Sequence, residues 1–301
     1  MAIIVSHRKD LDGIASAAIL KRAFPGARVI LIDYDDIRDA FKSLEGTKEE
    51  IYVADLNIGA AEKKALGSIE KIAKNARILW LDHHNWDPVV RKAAEKHMTL
   101  IVNRDKCASE VVFDFFGEGD SVDAKIARFA RDQDFYTKKI YDANRISDVI
   151  AARHGNMRFL LSLVEMLSRG VFWKGEFDEI RDDYIAKKEK LLWDAVGAMT
   201  YYENFAITLS SPLVPSGEIA KETIEKKKVD VLVILDPRGR ISFRRKKGSS
   251  VDLSVLARSF GGGGHPYAAG ASYGKPISKK TLPLAKEAVA AKVRKRLTVR
   301  I

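Results

Sequence analysis

The chain has 301 residues, of which 46% are hydrophobic and 31% charged, which fits a globular protein of about two domains. No window of the sequence approaches 18 uninterrupted apolar residues, which excludes a membrane-spanning helix. The first residues lack the pattern of a signal peptide, so we expect a cytoplasmic protein. Cys107 is the single cysteine, which excludes an internal disulfide framework and a thiolate zinc site.

Lysine and arginine outnumber aspartate and glutamate by 52 to 41, giving a formal net charge of +11. An excess of basic over acidic residues favours a polyanionic partner such as nucleic acid or a nucleotide. The sequence is also rich in lysine and glutamate and has one glutamine, Gln133, a composition reported for heat-adapted proteins. The charge therefore indicates an anionic partner only in combination with a suitable site.

The first half of the chain alternates apolar runs typical of buried strands with segments typical of helices. The predicted strands are Ala2–Ser6, Val29–Tyr34, Ile51–Asp55, Ile78–Leu81 and Met98–Val102. The predicted helices are Ile14–Phe24, Ile37–Leu44, Ala60–Lys74, Ser109–Phe116 and Val122–Arg131. This alternation predicts an α/β fold with a parallel sheet that carries helices on both faces.

A polar loop follows the first predicted strand and contains His7, Asp10, Asp12 and Gly13. Carboxylate oxygens suit Mn or Mg, and imidazole also suits Mn and other first-row metals. Gly13 permits a close backbone approach just before the helix N-terminus, which is a ready anion site. A helix cap would account for Asp10 or Asp12, but it would not account for His7 as well.

Two further strands end in acids and imidazoles. Asp55 ends the third predicted strand, and Asp82, His83 and His84 follow the fourth. Taken singly, Asp55 is better explained as a helix cap, but the carboxyl ends of parallel strands share one edge of a sheet. We therefore expect these groups to converge on a metal site. Adjacent histidines point to opposite sides of an extended backbone, so one could bind metal while the other faces substrate.

The helix predicted to end at Arg131 leads into Asp132 and Asp134. Either acid could complete the site, and either could be a solvated turn residue. A long charged helix with an apolar stripe is predicted next, and we expect it to connect to a second domain. The helices predicted in this part of the chain are Ile146–Ile150, Met157–Leu167 and the bridging helix, Phe177–Ala198.

Apolar runs typical of strands occur again after the bridging helix. A turn at Pro237 to Arg240 between two of them predicts a hairpin. Together with two helices, these strands predict a smaller α/β domain with a mixed sheet. The predicted strands are Phe205–Leu209, Val229–Leu235, Ile241–Arg245 and Leu297–Ile301, and the helices are Asp252–Arg258 and Leu282–Arg294.

Four consecutive glycines, Gly261 to Gly264, precede His265. Such a run costs backbone entropy on folding, and a bound anion is the usual compensation, because the N–H groups can line up on a phosphate. His265 adds a further donor. Arg244 and Arg245 on the predicted hairpin could supply phosphate contacts, with a solvated strand face as the alternative for at least one of them.

Together these motifs resemble the DHH phosphoesterase superfamily, and their order and spacing match across nearly the whole chain. The final tract is similar to the glycine-rich signature of the DHH-associated C-terminal domain. The resemblance implies a catalytic domain over residues 1–175, a connecting helix over 176–203 and a substrate-binding domain over 204–301. The motifs are His7-x-x-Asp10-x-Asp12-Gly13, strand-end Asp55, Asp82-His83-His84, Asp132 and Gly261 to His265.

The resemblance also implies two manganese ions, with magnesium as the alternative, and a hydrolysis in which a metal-activated water attacks phosphorus. Asp55 would bridge the ions, Asp82 would orient a neighbouring imidazole, and His84 would face the scissile phosphate. Asp134 stays open as an alternative to Asp132. The implied ligands are His7, Asp10 and Asp55 for the first ion and Asp12, Asp55, His83 and Asp132 for the second. The implied substrate-binding residues are Arg244, Gly262, Gly263, Gly264 and His265.

The expected activity is hydrolysis of short single-stranded RNA or DNA, nanoRNase-like or exonuclease-like, with release of nucleoside monophosphates. RecJ-type exonucleases of the family usually carry an extra nucleic-acid-binding domain, for which 301 residues leave little room. The alternatives are a phosphatase of small nucleotides such as phosphoadenosine phosphate, a cyclic-dinucleotide phosphodiesterase, and a non-catalytic protein that binds single-stranded nucleic acid. The sequence leaves the oligomeric state open, with a homodimer as one alternative.

Overall fold

The computed structural model describes residues 2–59, 63–117, 119–227 and 229–297, apart from the side chains of residues 225 and 227. The chain divides into two compact units, residues 1–184 and 185–301. Helix α9, Glu176–Gly197, contains the boundary between them. Within the described ranges, no helix is both long and apolar enough to cross a bilayer.

The first unit is built on a five-stranded parallel sheet in the order β2-β1-β3-β4-β5. The predicted parallel sheet is therefore confirmed. The strands are β1 Ala2–His7, β2 Arg28–Ile32, β3 Glu50–Ala54, β4 Ile78–Asp82 and β5 Thr99–Val102. The helices are α1 Leu11–Ala23, α2 Ile37–Ser43, α3 Ala65–Ala73, α4 Pro88–Ala94, α5 Ala108–Phe116, α6 Ser121–Asp134, α7 Tyr141–Arg153 and α8 Met157–Ser168.

Apolar side chains on both faces of the strands explain why helices cover the sheet on two sides. In β1, Ile4 packs into the core formed with α1, α5, α6, α7 and α8. Its neighbours Ile3 and Val5 pack into the opposite core, formed with α2, α3 and α4. Successive side chains of a strand point to opposite faces, so an uninterrupted apolar run buries both sides of the sheet.

The second unit carries a mixed six-stranded sheet in the order β10-β11-β9-β8-β7-β6, as the predicted fold class requires. Only the β7–β8 pair is parallel among the pairs of this sheet. The strands are β6 Thr200–Tyr201, β7 Phe205–Leu209, β8 Val231–Leu235, β9 Arg240–Arg245, β10 Gly263–His265 and β11 Ala268–Ser272. The helices are α10 Ser216–Lys227, α11 Leu253–Arg258 and α12 Leu282–Leu297.

Several element bounds differ from the sequence prediction. Helix α1 begins at Leu11 instead of Ile14, because the Asp10 side chain accepts a hydrogen bond from the Gly13 N–H (3.1 Å) and caps the helix. Helix α6 runs to Asp134 instead of ending at Arg131. The sequence prediction did not include α4, α10, β6, β10 or β11. The strand predicted at Leu297–Ile301 lies outside the described residues except for Leu297, which ends α12, and residues 60–62 of the third predicted helix also lie outside them.

Candidate metal centre

Three neighbouring strands of the first unit deliver polar side chains to the carboxyl edge of the sheet. His7 is the last residue of β1, Asp55 directly follows β3, and Asp82 is the last residue of β4. Because β1, β3 and β4 are adjacent and parallel, their ends lie side by side. The structure thus brings together the residues for which convergence was expected.

His7, Asp10 and Asp55 form the first group of potential metal ligands. Nδ1 of His7 lies 3.0 Å from Oδ2 of Asp10 and 3.4 Å from Oδ2 of Asp55. Burial by itself lowers the pKa of His7, but the hydrogen bond with Asp10 and the nearby charges of Asp10 and Asp55 outweigh it and raise the pKa to about 10. The imidazole is therefore surrounded by negative charge.

His83 is the centre of the second group. Its Nε2 lies 3.4 Å from Oδ1 of Asp55 and 3.8 Å from Oδ2 of Asp12, and its Nδ1 lies 3.6 Å from Oδ2 of Asp134. Burial and the charge of Asp12 raise the pKa of Asp134 to about 6. The two oxygens of Asp55 thus face different histidines, with Oδ2 towards His7 and Oδ1 towards His83.

Asp12 lies in the first turn of α1 and is fixed by the N-terminus of α5. Its Oδ2 accepts a hydrogen bond from the Ala108 N–H (2.7 Å), and its Oδ1 accepts one from the Ser109 N–H (2.8 Å). The side chain is almost fully buried. The N-terminus of a helix carries partial positive charge, so α5 holds this carboxylate beside His83 with its remaining lone pairs available to a metal.

The structure does not bring Asp132 into either group. Its carboxylate accepts hydrogen bonds from the Lys139 N–H (2.8 Å) and the Ile140 N–H (3.1 Å), and from the side chains of Gln133 and Thr137. Burial by itself raises the pKa of Asp132, but these hydrogen bonds outweigh it and lower the pKa. Asp132 therefore anchors the loop after α6, and Asp134 is the acid that lies beside His83.

The donor set at this edge fits divalent cations. In each of three overlapping groups, one ligand atom per residue lies within 4.8 Å of the others. Within the described residues, His7 Nε2 and Asp55 Oδ2 are buried atoms without a hydrogen-bond partner, whereas buried polar groups normally have one. Burial and the charges of Asp10 and Asp12 raise the pKa of Asp55 to about 7. A cation beside His7 Nδ1 would satisfy Asp55 Oδ2 and offset the crowded negative charge, whereas His7 Nε2 faces Asp33 Oδ1 at 3.6 Å.

Asp55 also adopts an unusual backbone conformation, with φ of 56°. This left-handed region is uncommon for residues other than glycine, although aspartate and asparagine enter it more readily than most. Strained residues of this kind cluster at functional sites. The turn at the end of β3 places the Asp55 carboxylate between His7 and His83, which is the position that a bridging ligand requires.

His84 belongs to a hydrogen-bonded chain that sequence reasoning found only in part. Its Nδ1 lies 2.7 Å from Oδ1 of Asp82, whose Oδ2 accepts a hydrogen bond from Trp86 Nε1 (2.7 Å). The hydroxyl of Tyr34 lies 3.2 Å from Nε2 of His84. Sequence reasoning missed Tyr34 and Trp86, because no local pattern links them to residue 84.

The glycine tract of the second unit forms β10 and the turn that leads to it. A Cβ at Gly262 would lie 2.1 Å from the carbonyl oxygen of Gly270, and one at Gly264 would lie 2.6 Å from Cα of Ala269, whereas a Cβ at Gly263 would meet open space. Close approach to β11 therefore explains two of these glycines without a ligand.

Arg244 and His265 lie on either side of a small residue of β11. Both are paired in register with Ala268, Arg244 from β9 and His265 from β10, and directly paired residues present their side chains on the same face. His265 is exposed and its ring stacks on Tyr267, with centroids 5.4 Å apart. Arg245 instead donates hydrogen bonds to the carbonyls of Ser249 and Val251, which gives it a structural role.

Comparison with protein families identifies both units. Residues 1–142 match the N-terminal domain of the DHH family, and residues 214–295 match the DHHA1 domain. The chain belongs to the DHH phosphoesterase superfamily. Proteins of this family are typically phosphoester hydrolases. A search of curated proteins found no match to this chain.

Solved structures share the fold of this DHH protein at low sequence identity. A pGpG-specific phosphodiesterase, PggH from Vibrio cholerae, is 15% identical with a TM-score of 0.62 and covers 98% of this chain and 100% of its own. RecJ in complex with Mn²⁺ from Thermus thermophilus is 15% identical with a TM-score of 0.63 and covers 97% of this chain. An exopolyphosphatase-related protein from Bacteroides fragilis is 17% identical with a TM-score of 0.55, and the match covers 96% of this chain and 91% of that one.

The match with Thermus RecJ involves 52% of the RecJ chain, so the present chain spans about half the length of that exonuclease. It spans the whole length of the Vibrio phosphodiesterase. At these identities the likeness shows the fold alone.

Proposed function

We propose that this DHH protein is a two-metal phosphodiesterase that hydrolyses short oligonucleotides, dinucleotides included, to nucleoside monophosphates. The observation that carries the proposal is the position of Asp55, whose two carboxylate oxygens face His7 and His83, each within 3.4 Å. One carboxylate between two separate ligand groups is the arrangement that a pair of bridged divalent ions requires.

The ligand groups define two ion positions. His7, Asp10 and Asp55 would hold the first ion. Asp12, Asp55, His83 and Asp134 would hold the second, with Asp134 in the place for which the sequence suggested Asp132. Mixed imidazole and carboxylate ligands suit Mn²⁺, and Mg²⁺ is the alternative. When bound, such a pair activates a water molecule and neutralises charge on the phosphoryl oxygens.

The protein's own groups around the ions orient the substrate. Asp82 accepts the Nδ1–H of His84, so Nε2, which lies 3.2 Å from the Tyr34 hydroxyl, is the ring atom on the opposite side of the imidazole. In this proposal, a phosphoryl oxygen or the leaving oxygen of the scissile bond takes the place of the Tyr34 hydroxyl, and the His84 imidazolium donates its Nε2–H to that oxygen. A donor held ready in this way stabilises developing charge without reorganisation. Asp82 positions the imidazole and does not contact the substrate.

Several observations support a short nucleotide substrate. The formal net charge is +11, which attracts polyanions. The match with a phosphodiesterase named for the linear dinucleotide pGpG covers 98% of this chain and the whole of that one. In the second unit we propose that Arg244 and His265, which flank Ala268, bind the terminal phosphate of the substrate, with the backbone of Gly262 to Gly264 nearby.

The test compares four substrates with Mn²⁺: the dinucleotide pGpG, a single-stranded 24-mer, a cyclic dinucleotide and phosphoadenosine phosphate. We expect hydrolysis of pGpG to mononucleotides, much slower hydrolysis of the 24-mer, and loss of activity with a chelator. Faster hydrolysis of the cyclic dinucleotide or of phosphoadenosine phosphate than of pGpG would show that the proposed substrate is wrong. Binding of the 24-mer without hydrolysis of any substrate would favour a non-catalytic binding protein.

Asp55→Asn is the matching variant, because asparagine keeps the size of the side chain and tolerates positive φ. We expect this variant to lower the rate of hydrolysis by about 100-fold or more, because the bridging ligand of the two ions is lost. Asp183→Asn changes an exposed acid of α9 and serves as the control with unchanged activity. Near wild-type turnover by Asp55→Asn would refute the two-metal site.

A further inference from the structure

Phe135 and Arg131 form an exposed pair of an aromatic ring and a cation at the end of α6. The guanidinium carbon of Arg131 lies over the Phe135 ring, 4.3 Å from its centroid. Phe135 is 42% exposed, and the Arg131 side chain is 43% exposed. Residues four apart on a helix are neighbours on its surface, and Phe135 is the residue that caps the carboxyl end of α6. The pair therefore presents to solvent a flat ring that has a positive charge on one of its faces.

The pair lies beside the second group of proposed ligands. Phe135 directly follows Asp134, so their Cα atoms are about 3.8 Å apart, and the Asp134 carboxylate belongs to that group. Nη1 of Arg131 donates a hydrogen bond to Glu110 (2.6 Å) in the first turn of α5. N–H groups of the same turn hold Asp12. Both members of the pair are thus attached to elements that carry or hold a proposed ligand of the second ion.

The loop after Phe135 exposes a second ring in a strained conformation. Tyr136 is 60% exposed, and Lys138 Nζ lies 5.0 Å from the centroid of its ring. The φ angle is 56° at Tyr136 and 55° at Lys138, and among the residues that the structure describes Asp55 is the only other non-glycine residue with a positive φ. Such values are outliers for bulky side chains, and strain of this kind clusters at sites that bind ligands. The buried Asp132 carboxylate accepts N–H groups of this loop and so maintains the conformation.

A nucleobase is the ligand whose chemistry fits this surface. Unpaired bases stack on aromatic rings and on arginine planes, and stacking tolerates every base because each has a π face. Residues 135–139 are all exposed and comprise two aromatic rings, two lysines and a threonine, without an acid. Lysines beside the rings attract the phosphates that accompany a base. Exposed rings interleaved with cations are the combination that proteins use to bind single-stranded nucleic acid.

We propose that Phe135, supported by Arg131, is the base-stacking residue of the phosphoester site: the ring face opposite Arg131 binds the base of the nucleotide whose phosphate is held at the second ligand group. The proposal rests on the function proposed above and names the part of the substrate that this segment recognises. Phe135 binds the substrate and takes no part in bond cleavage. Because stacking tolerates every base, the platform accepts nucleotides without reading their sequence.

The first test measures kcat and KM for pGpG, with saturating Mn²⁺, in Phe135→Leu and Phe135→Trp. Leucine keeps apolar bulk but has no aromatic face, so KM should rise about tenfold while kcat stays within about twofold of wild type. Tryptophan restores a stacking face and should keep KM at the wild-type value or below. Phe115→Leu is the control with unchanged KM, because Phe115 is also exposed but lines a cleft at the amino ends of β3 and β5, with Glu50 and Thr99. An unchanged KM in Phe135→Leu, or equally raised KM values in both Phe135 variants, would overturn the proposal.

Binding measured without turnover keeps this proposal distinct from the proposed function. Calorimetry of the whole protein with saturating Mn²⁺ compares GMP with ribose 5-phosphate, which has the sugar and the phosphate but no base. We expect Phe135→Leu to weaken GMP binding about tenfold and to leave the affinities for ribose 5-phosphate and Mn²⁺ unchanged. If no substrate is hydrolysed, the proposed function fails, while these titrations still decide the role of Phe135. Equal losses for the two ligands, or a wild-type protein that binds GMP no more tightly than ribose 5-phosphate, would refute base stacking by Phe135.

Discussion

Asp134 Oδ2 lies 3.6 Å from Nδ1 of His83, although the two residues come from the end of α6 and the turn after β4. Asp132, two residues earlier on the same helix, directs its carboxylate to the backbone of Lys139 and Ile140. Two residues on an α-helix are about 200° apart around its axis, so these neighbouring acids serve different surroundings. Asp134 is therefore the acid that can take part in the proposed metal site, whereas Asp132 stabilises the loop after α6.

Asp134→Asn should weaken Mn²⁺ binding at least tenfold, because it removes one negative charge from the second ligand group and leaves His83 without that neighbour. Titration calorimetry of the metal-free protein with Mn²⁺ measures the change. The free energy of unfolding of the metal-free protein should be little affected. Wild-type Mn²⁺ affinity in this variant would contradict the assignment of Asp134 as a ligand.

Asp132→Asn should show the opposite behaviour. An amide group replaces one acceptor oxygen with a donor. At least one of the N–H groups that donate to Asp132 in the wild type therefore loses its hydrogen bond. The expected loss of stability is about 1–3 kcal/mol, measured by urea denaturation. Mn²⁺ affinity should stay within about twofold of wild type. A large loss of Mn²⁺ affinity with unchanged stability would return Asp132 to the ligand set.

Gly13→Ala should disturb the first ligand group through the backbone. A Cβ at this position would lie 2.2 Å from the carbonyl oxygen of His7, so α1 and the end of β1 would have to move apart. We expect a loss of about 1–3 kcal/mol in unfolding free energy, together with weaker Mn²⁺ binding, because His7 moves with its backbone. Urea denaturation and calorimetry measure the two effects.

Gly67→Ala is the matched control for this substitution. Gly67 is exposed within α3, and a Cβ there would meet nothing within 4 Å. Alanine should stabilise this helix by about 0.5–1 kcal/mol and leave metal binding unchanged. If both variants behaved alike, the close approach at Gly13 would have no functional consequence.

Much of the site could be predicted because it follows from one rule of parallel sheets. His7, Asp55 and Asp82 each come where an apolar run stops, and the carboxyl ends of neighbouring parallel strands share an edge. Strand ends can be recognised in the sequence from the switch between apolar and polar residues. The five-stranded parallel sheet and the gathering of these three residues were therefore accessible without coordinates.

The remaining features depend on geometry that no local pattern contains. The choice between Asp132 and Asp134 depends on where α6 ends, and helix ends are poorly defined by sequence. The bond between Tyr34 and His84 spans 50 residues, and the strand predicted through Tyr34 in fact ends at Ile32. The glycines of the final tract suggested a phosphate, but Gly262 and Gly264 are already explained by their close approach to β11.

Metal binding should strengthen as the pH rises. Burial, followed by the charges of Asp10 and Asp12, raises the pKa of Asp55 to about 7. Burial lowers the pKa of His83, but the hydrogen bond to Asp55 and nearby acids outweigh it and raise the pKa to about 9. Both groups must lose protons to bind metal, so a proton competes with the ion below these values. Affinity should rise about tenfold per pH unit for each proton released.

Calorimetry at pH 6 and pH 8, in buffers with different ionisation enthalpies, counts the protons released on Mn²⁺ binding. We expect tighter binding at pH 8 and measurable proton release at both values. In Asp55→Asn the proton of residue 55 is no longer available, so the release should be smaller than in the wild type. Equal affinities at the two pH values, without proton release, would contradict ligation by Asp55 and His83.

Trp86→Phe should slow hydrolysis by acting through Asp82. The Trp86 indole donates to Oδ2 of Asp82 (2.7 Å), and the carboxylate is fully buried. Phenylalanine keeps an aromatic ring against Trp80, on which Trp86 packs edge-on, but it removes the donor. Among the described residues, His84 would then be the remaining hydrogen-bond partner of the Asp82 carboxylate. Loss of such an orienting hydrogen bond typically costs 10–100-fold, so we expect kcat to fall by about tenfold.

Trp173→Phe provides the comparison for this variant. Its indole donates to Asp178 (3.2 Å), outside the three ligand groups, and its loss should leave kcat unchanged. Assays of both variants with saturating Mn²⁺ and pGpG separate an effect on His84 from a general effect of removing an indole N–H. In the proposed function Asp82 acts by orienting His84, so Trp86→Phe should have no further effect once His84 is replaced by alanine. A Trp86→Phe protein with full activity would show that His84 does not need a fixed Asp82.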